Sequence, residues 1–287
     1  KLMKKFFSLV LFAHSIFAMP FAFIGFFLGV TTTANPFNWY LLLAVVLCMV
    51  FARNAAMAFN RYLDRDIDAK NPRTVMRDIP SGKISARAAL IFVIVNCVLF
   101  IATTYLINSL CFYLSPIAIF VVLFYSYTKL FTALCHLVLG LGLGLAPIGA
   151  YIAVTGQFNI VPVLYSLAVL FWVSGFDIIY ALQDEDFDRS EKLHSIPSAL
   201  GRKNALRLSS FLHVLSAACV ITPIYFMDFG WPYYAGVVFF CTMLIYQHRL
   251  VKPNDISKVD RAFATTNGYA SVVFAICFLV DAYLKTR

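Results

Sequence analysis

Residues 60–83 read NRYLDRDIDAKNPRTVMRDIPSGK, a densely charged segment in a chain that is otherwise almost continuously apolar. Within it, Asn60, Asp64 and Asp68 follow an N-x3-D-x3-D spacing. Residues four apart in a helix lie about one turn above each other, so these three oxygen-bearing side chains share one face. Such a face indicates a site for a hard cation.

The composition around this segment predicts an all-α polytopic membrane protein. The 287 residues are 61% hydrophobic and only 13% charged, with a mean hydropathy of +0.81, whereas soluble domains have about 25% charged residues. The apolar runs are continuous over about 17–25 residues, the length of a membrane-spanning helix. They lack the alternating pattern of about 10 residues that is typical of membrane β-barrels. We therefore expect one transmembrane domain over residues 1–287.

We predict nine transmembrane helices in a bundle around one central cavity, with a cytoplasmic N-terminus. Lys and Arg residues are retained on the cytoplasmic side of membranes. In this topology, all of the 23 Lys and Arg residues except Lys285 and Arg287 lie on that side. The predicted spans are 6–30, 38–60, 86–107, 111–127, 134–154, 160–182, 205–226, 231–249 and 262–283.

The net charge of +9 follows mainly from this cytoplasmic bias and from attraction to anionic headgroups. It does not indicate nucleic-acid binding. The seven cysteines include no C-x-x-C pair and fall almost entirely in apolar spans. We expect them to behave as small core residues without a disulfide or zinc framework.

A second acidic segment lies at the end of the sixth predicted span and resembles the first. LDRDIDAK and QDEDFDRSEK both read D-x-D-apolar-D followed by basic residues, and each continues to a Pro-Ser and a Gly. We expect the two segments to face each other. Asp184 and Asp188 are four apart, and Asp177 lies about 10 Å deeper in the membrane. An intramembrane carboxylate is costly, so Asp177 is either functional or paired with an Arg on another helix. Arg53 lies at the matching depth before Asn60.

Facing carboxylates repel each other unless divalent cations lie between them, and Mg²⁺ is commonly held by carboxylates together with substrate phosphates. Basic residues next to both segments suit a diphosphate, because Arg and Lys bind phosphate oxygens. A diphosphate at the end of an apolar bundle indicates a lipid diphosphate, whose ionisation requires a site without water. The basic candidates are Arg65, Lys70, Arg73, Arg77, Lys129, Arg189, Lys192, Arg202 and Lys203.

These patterns resemble the UbiA superfamily of intramembrane prenyltransferases over essentially the whole chain. One family segment, Y-D-x-x-Y, is altered here, with Phe176 in place of its first Tyr. The matching residues are Asn60, Asp64 and Asp68 of the first motif, Arg73 of NPRT, Tyr125 and Lys129 of Y-x3-K, Asp177 and Tyr180 of FDIIY, and Asp184 and Asp188 of the second D-x3-D.

The resemblance implies Mg²⁺-dependent transfer of a polyprenyl group from polyprenyl diphosphate to a ring carbon of an aromatic acid, in respiratory quinone biosynthesis. It also implies a bacterial cytoplasmic membrane protein whose site opens to the cytoplasm. The expected metal ligands are Asn60, Asp64, Asp68, Asp184 and Asp188, and the expected diphosphate ligands are Arg73, Lys129, Lys192 and Tyr125. For the catalytic group we expect Arg53 to pair with the acceptor carboxylate, Asp177 to orient the phenol or accept a proton, and Tyr180 to assist.

Alternatives remain for both the acceptor and the class of protein. The P-x-G-K turn after NPRT and the stretch AHSIFAMPFAFIG at 13–25 resemble the bacterial 4-hydroxybenzoate branch, which includes relatives that act on a dihydroxynaphthoate for menaquinone. A transporter is the main rival, but it predicts matched Gly/Pro helix breaks, and LGLGLGLAPIGAY at 139–151 has no clear counterpart. CDP-alcohol phosphotransferases use a D-x2-D-G-x2-A-R pattern, which is absent here.

Overall fold

The computed structural model describes residues 17–33 and 37–285. Within these ranges the chain is helical, with nine helices of 14 or more residues. They are α1 Met19–Thr32, α2 Trp39–Leu63, α3 Ala86–Ile107, α4 Ser109–Thr128, α5 Cys135–Thr155, α6 Ile160–Ala181, α7 Ile196–Ile221, α8 Trp231–Leu250 and α9 Asn267–Lys285. A π-helical turn, Arg261–Thr266, leads into α9.

Each predicted span overlaps one of these helices, although α7 begins nine residues before its predicted span of 205–226 and positions 6–16 of the first span lie outside the described residues. Seven of the described helices are long and apolar enough to cross a membrane, namely those that contain α2, α3, α4, α5, α6, α7 and α9. The helix α1 has only 14 described residues, and α8 is not one of the seven. The chain is thus a multi-pass membrane protein, while nine spans and a cytoplasmic N-terminus remain predictions.

Polar side chains define where the helices begin. Asn38 accepts hydrogen bonds from the N–H groups of Tyr40 and Leu41, which would otherwise have no partner at the start of α2. The starts of α3, α4, α6 and α7 are capped in the same manner by Ser85, Asn108, Asn159 and Ser195. These caps explain why the helices begin at polar residues that separate the apolar runs.

The core of the bundle is centred on Trp172 of α6, which is fully buried. Its ring packs against Phe21 of α1 and Phe240 of α8 at centroid distances of 5.5 and 5.7 Å. The indole N–H donates to Asn267 Oδ1 over 2.9 Å, so the one polar group of this side chain has a partner inside the core. This aromatic core holds α1, α6, α8 and α9 together on one side of the bundle.

The helices α5 and α6 approach each other closely because α5 carries glycines at the contact. A Cβ atom on Gly144 would lie 2.8 Å from the carbonyl oxygen of Ser166, and one on Gly140 would collide with the carbonyl oxygen of Leu170. Small residues allow such backbone approaches between membrane helices. Part of the glycine run at 139–151 therefore serves helix packing.

Candidate active site

The first acidic segment lies at the cytoplasm-directed end that we predict for α2. The helix ends at Leu63 and Asp64 follows it as the capping residue, so the three ligand candidates do not lie on one uninterrupted helix. Their spacing nevertheless persists, since the Asp64 N–H donates to Asn60 O over 2.9 Å and the Asp68 N–H donates to Asp64 O over 2.7 Å. Asp64 and Asp68 are both buried.

The second acidic segment also follows a helix break. The helix α6 ends at Ala181, a 3₁₀ turn covers Leu182–Asp184, and a short helix covers Glu185–Ser190. Both D-x3-D pairs therefore lie just beyond the end of a long helix, where the chain turns. This matched position is the structural counterpart of the sequence similarity between the two segments.

Three of the predicted metal ligands are paired with basic side chains. Asp64 forms an ion pair with Lys129 Nζ. Asp68 accepts from Arg77 Nη1 over 2.8 Å. Asp184 is paired with the guanidinium of Arg73, whose Nε lies 3.0 Å from Asp184 Oδ1. Because buried carboxylates need a compensating charge, Lys and Arg supply it in this structure.

Side chains of the 70–73 loop join the two acidic segments. Asn71 Nδ2 donates to Asp184 Oδ1 over 3.3 Å, and Lys70 Nζ donates to Glu191 Oε2 over 2.7 Å. Arg73 also donates to the Tyr180 hydroxyl over 2.9 Å, with its guanidinium 5.3 Å from the centre of that ring. The segments face each other across this loop, as the sequence predicts.

The charge state of Asp64 reflects competition between burial and its partner. Burial raises the pKa of the Asp64 carboxyl above its usual value, whereas the Lys129 ammonium lowers it and Asp68 raises it again. Removal of the Lys129 charge would thus raise the pKa of Asp64 further.

Asp177 has a partner that sequence reasoning missed. Its Oδ2 lies 2.7 Å from His136 Nδ1, and no ion pair between Asp177 and an Arg occurs among the described residues. The N–H of Ile196 donates to His136 Nε2 over 3.3 Å, a contact that suits the tautomer with its proton on Nδ1, facing Asp177. The available sequence signal was an ionisable residue within an apolar span. His136 lies in such a span, and the structure shows that it is buried.

A cavity of about 530 Å³ opens beneath the acidic segments and extends along α2, α4 and α5. Arg53, Tyr125, Asp177 and Tyr180 all line it, together with Asn60. Arg53 Nε is buried in this cavity without a hydrogen-bond partner. An unpartnered buried guanidinium nitrogen is costly, and an anionic ligand in the cavity would give Arg53 the partner it lacks.

Two predicted residues lie at the edge of this arrangement. Lys192 is exposed and adopts a left-handed backbone conformation with φ of 55°. Asp188 is half-buried, and its carboxyl interacts with Ser195. The sequence analysis did not predict the buried ion pairs of Glu185. This carboxylate accepts hydrogen bonds from Arg202 Nε over 2.7 Å and from Arg189 over 3.0 Å.

The donor set fits Mg²⁺ chemically, because it consists of carboxylate and amide oxygens. In the described part of the chain, no group of three or more His, Cys, Asp or Glu side chains is arranged to hold a metal ion. Asp64, Asp68 and Asp184 each face a basic side chain instead.

Comparison with known proteins identifies this arrangement. The UbiA prenyltransferase family model matches residues 18–275. The 4-hydroxybenzoate octaprenyltransferase of Photobacterium profundum is 30% identical over 244 residues, which cover 83% of this chain and 82% of that protein. Its counterpart in Aliivibrio fischeri is 31% identical over 246 residues, covering 83% and 82%.

Solved structures agree. The apo structure of a UbiA homologue from Aeropyrum pernix K1 has a TM-score of 0.80 at 29% identity, covering 96% of this chain and 98% of that one. A UbiA homologue from Archaeoglobus fulgidus bound to DMAPP and Mg²⁺ has a TM-score of 0.76, covering 98% and 99%; at 20% identity it shows the fold alone.

The fold and its relatives define an all-helical membrane transferase. The chain belongs to the UbiA prenyltransferase family. This membership decides in favour of a prenyltransferase over the transporter and phosphotransferase alternatives.

Proposed function

We propose that this protein transfers a polyprenyl group from a polyprenyl diphosphate to a ring carbon of an aromatic acid such as 4-hydroxybenzoate, as a step of respiratory quinone biosynthesis. The observation that carries the proposal is that the apolar cavity containing Arg53 is also lined by Arg77 and Tyr180, which contact Asp68 and Arg73 of the ion-paired acidic cluster. The relatives named 4-hydroxybenzoate octaprenyltransferase support this acceptor.

The two acidic segments would hold Mg²⁺ together with the diphosphate. The candidate ligands are Asn60, Asp64, Asp68, Asp184 and Asp188. When bound, Mg²⁺ supplies positive charge that stabilises the leaving diphosphate. The homologue from Archaeoglobus fulgidus, which was solved with DMAPP and Mg²⁺, supports this cofactor.

Basic residues beside the acidic cluster are the diphosphate ligands in this proposal. Lys129 and Arg73 are already held at the cluster by Asp64 and Asp184, so a short movement would bring them to phosphate oxygens. The Tyr125 hydroxyl would donate from the cavity wall, and Lys192 would reach in from the exposed loop. Arg73 provides a planar fork for phosphate and Lys129 a point charge.

The reaction balances with groups of this chain in defined roles. The bond between allylic C1 and the diphosphate oxygen breaks, and the diphosphate leaves with the electron pair. C1 then forms a bond to the ring carbon ortho to the phenol, and the proton on that carbon leaves as aromaticity returns. Arg53 pairs with the acceptor carboxylate, Asp177 orients the phenol or accepts the proton, and Tyr180 assists by holding Arg73.

The chain's own residues also exclude water from the reacting carbon. The cavity below Asp177 is lined mainly by apolar side chains, among them Phe176 and Phe263. Aromatic faces can stabilise a developing cation while water is kept out. We assign the protein to the bacterial inner membrane, with the site opening to the cytoplasm, because basic residues concentrate at that end.

A membrane preparation that contains the protein, incubated with labelled polyprenyl diphosphate, Mg²⁺ and a panel of aromatic acids, tests the proposal. We expect a prenylated 4-hydroxybenzoate. A prenylated dihydroxynaphthoate instead would assign the enzyme to menaquinone synthesis and overturn the proposed acceptor. Loss of the carboxylate from the acceptor should abolish turnover if Arg53 recognises it.

Arg53→Ala gives the sharper test of acceptor binding. Its acceptor KM should rise by about tenfold or more, because a charged hydrogen-bond partner contributes about 1.5–3 kcal/mol, while the KM for the diphosphate stays nearly constant. Arg87→Ala, at an exposed position of α3, is the matched control. An unchanged acceptor KM in Arg53→Ala would remove this residue from the site.

A further inference from the structure

Four glycines of α5 divide into two pairs with different surroundings. Gly140 and Gly144 face α6, where a Cβ atom would collide with backbone. Gly142 and Gly149 instead line the cavity. A Cβ on Gly142 would meet only Val122, at 3.8 Å, and one on Gly149 would meet no atom within 4 Å. Helix packing explains the first pair and does not explain the second.

The cavity-lining pair lies on one face of α5 at two depths. Seven residues separate Gly142 from Gly149, which corresponds to nearly two turns and about 10 Å along the axis. His136, which contacts Asp177, marks the reacting end of the same helix. By helix rise, Gly142 lies about 9 Å and Gly149 about 20 Å from that level.

The cavity continues past both glycines towards residues that we predict to lie near the opposite side of the membrane. Ile152 and Ala153 of α5, Ile107 of α3 and Phe158 after α5 line its far part. Its near end contains Arg53, whose buried Nε has no partner. One continuous apolar space thus begins at a polar ligand site and runs along the glycine-bearing face.

We propose that Gly142 and Gly149 are specificity-determining residues that set which prenyl tails the enzyme accepts, by leaving space for the tail at two successive depths. This inference rests on the proposed function, because it takes the cavity as the place where the donor tail binds. A Cβ at either position meets no backbone atom closer than 3.8 Å, so a side chain there can extend into the cavity that both residues line. A plug at Gly142 would shorten the space more than a plug at Gly149.

Donors of graded length test the proposal directly. Purified wild type, Gly142→Leu and Gly149→Leu are each assayed with geranyl, farnesyl, geranylgeranyl and octaprenyl diphosphate and a fixed aromatic acid. Leu141→Phe is the matched control, because Leu141 is an exposed residue of the same helix outside the cavity lining. Gly149→Val provides a smaller plug should Leu prevent folding.

We expect kcat/KM of Gly149→Leu for octaprenyl diphosphate to fall by about tenfold or more, as for a poorly fitted apolar group, while the value for geranyl diphosphate changes by less than about twofold. In Gly142→Leu, kcat/KM should fall already for donors that are too short to be affected in Gly149→Leu. Leu141→Phe should keep the wild-type profile.

Two results would overturn the inference. A length profile unchanged in both Leu variants, with wild type active, would exclude these glycines while leaving the proposed function intact. An equal loss for all donors, in folded variants judged by thermal denaturation, would also refute it. A wild type that transfers no prenyl group from any donor would refute the proposed function itself, and the inference with it.

Discussion

Replacement of Lys129 by Met should change Mg²⁺ and diphosphate binding in opposite directions. The Lys129 ammonium forms an ion pair with Asp64, and only 28% of the Lys129 side chain and 5% of the Asp64 side chain are exposed. A divalent cation that binds Asp64 must displace this ammonium. Without Lys129, Mg²⁺ meets no competitor at this carboxylate, whereas the diphosphate loses a cationic ligand.

The size of both effects follows from the energy of one charged hydrogen bond. Two unit charges 4 Å apart attract each other by about 4 kcal/mol at an effective dielectric constant of about 20, and much of this is offset by desolvation. The net contribution of a charged hydrogen bond is about 1.5–3 kcal/mol. We take the lower end, because Lys129 is partly exposed. We therefore expect Mg²⁺ to bind about tenfold more tightly and the diphosphate KM to rise about tenfold.

The pH at which Mg²⁺ binding is lost should also change in Lys129→Met. Burial raises the pKa of Asp64 and Lys129 lowers it, so the substitution raises this pKa further. A carboxylate must be deprotonated to bind a metal ion. As the solution is acidified, Mg²⁺ binding to Lys129→Met should therefore begin to weaken at a higher pH than binding to the wild type. The roughly tenfold tighter binding should be measured at a pH where Asp64 is deprotonated in both proteins.

Isothermal titration calorimetry of the detergent-solubilised protein measures both ligands separately, first with Mg²⁺ alone and then with inorganic diphosphate in the presence of Mg²⁺. Lys252→Met is the control, since Lys252 is exposed after α8. If Mg²⁺ binds Lys129→Met at high pH no more tightly than it binds the wild type, the Lys129 ammonium does not compete with Mg²⁺ for the Asp64 carboxylate, and the hypothesis is refuted.

Three further predictions concern the same end of the bundle. His136→Phe should lower kcat by about tenfold or more, since loss of a buried hydrogen bond to Asp177 costs about 1–3 kcal/mol, whereas His136→Asn should retain more activity; steady-state kinetics distinguish them. Glu185→Gln should lower the free energy of unfolding by about 3 kcal/mol by breaking the buried pair with Arg202, whereas Asp186→Asn at an exposed position should change it by less than about 0.5 kcal/mol; thermal denaturation measures both. Removal of Mg²⁺ with a chelator should abolish prenyl transfer, and Mg²⁺ added back should restore it.

The sequence was sufficient for the helical membrane fold and for the facing acidic segments. Continuous apolar runs of membrane-spanning length can be recognised without knowledge of tertiary contacts. The spacing of Asn60, Asp64 and Asp68 also persisted, although α2 ends before Asp64. Local hydrogen bonds preserve this spacing, so a local pattern was an adequate guide to it.

The side-chain pairs between different helices could not be predicted from the sequence. His136 and Asp177 are 41 positions apart, and Asp177 was expected to pair with an Arg if it paired at all. Nothing local distinguishes Glu185 from the adjacent Asp184 and Asp186, yet Glu185 is the one of the three that is buried, against Arg202. Which carboxylate is structural and which is available to a metal depends on the direction of each side chain after the 3₁₀ turn.

The same distinction applies to Arg53 and Arg73. Both were predicted to bind anions, but Arg73 is already paired with Asp184 and Tyr180, whereas Arg53 has a buried nitrogen without a partner. A guanidinium that must leave a carboxylate binds its ligand at the cost of that pair. An unpaired guanidinium in a cavity bears its desolvation cost before the ligand arrives. If Mg²⁺ takes over Asp184 as we propose, diphosphate binding at Arg73 should depend on Mg²⁺, whereas binding of the proposed acceptor at Arg53 should require no such exchange.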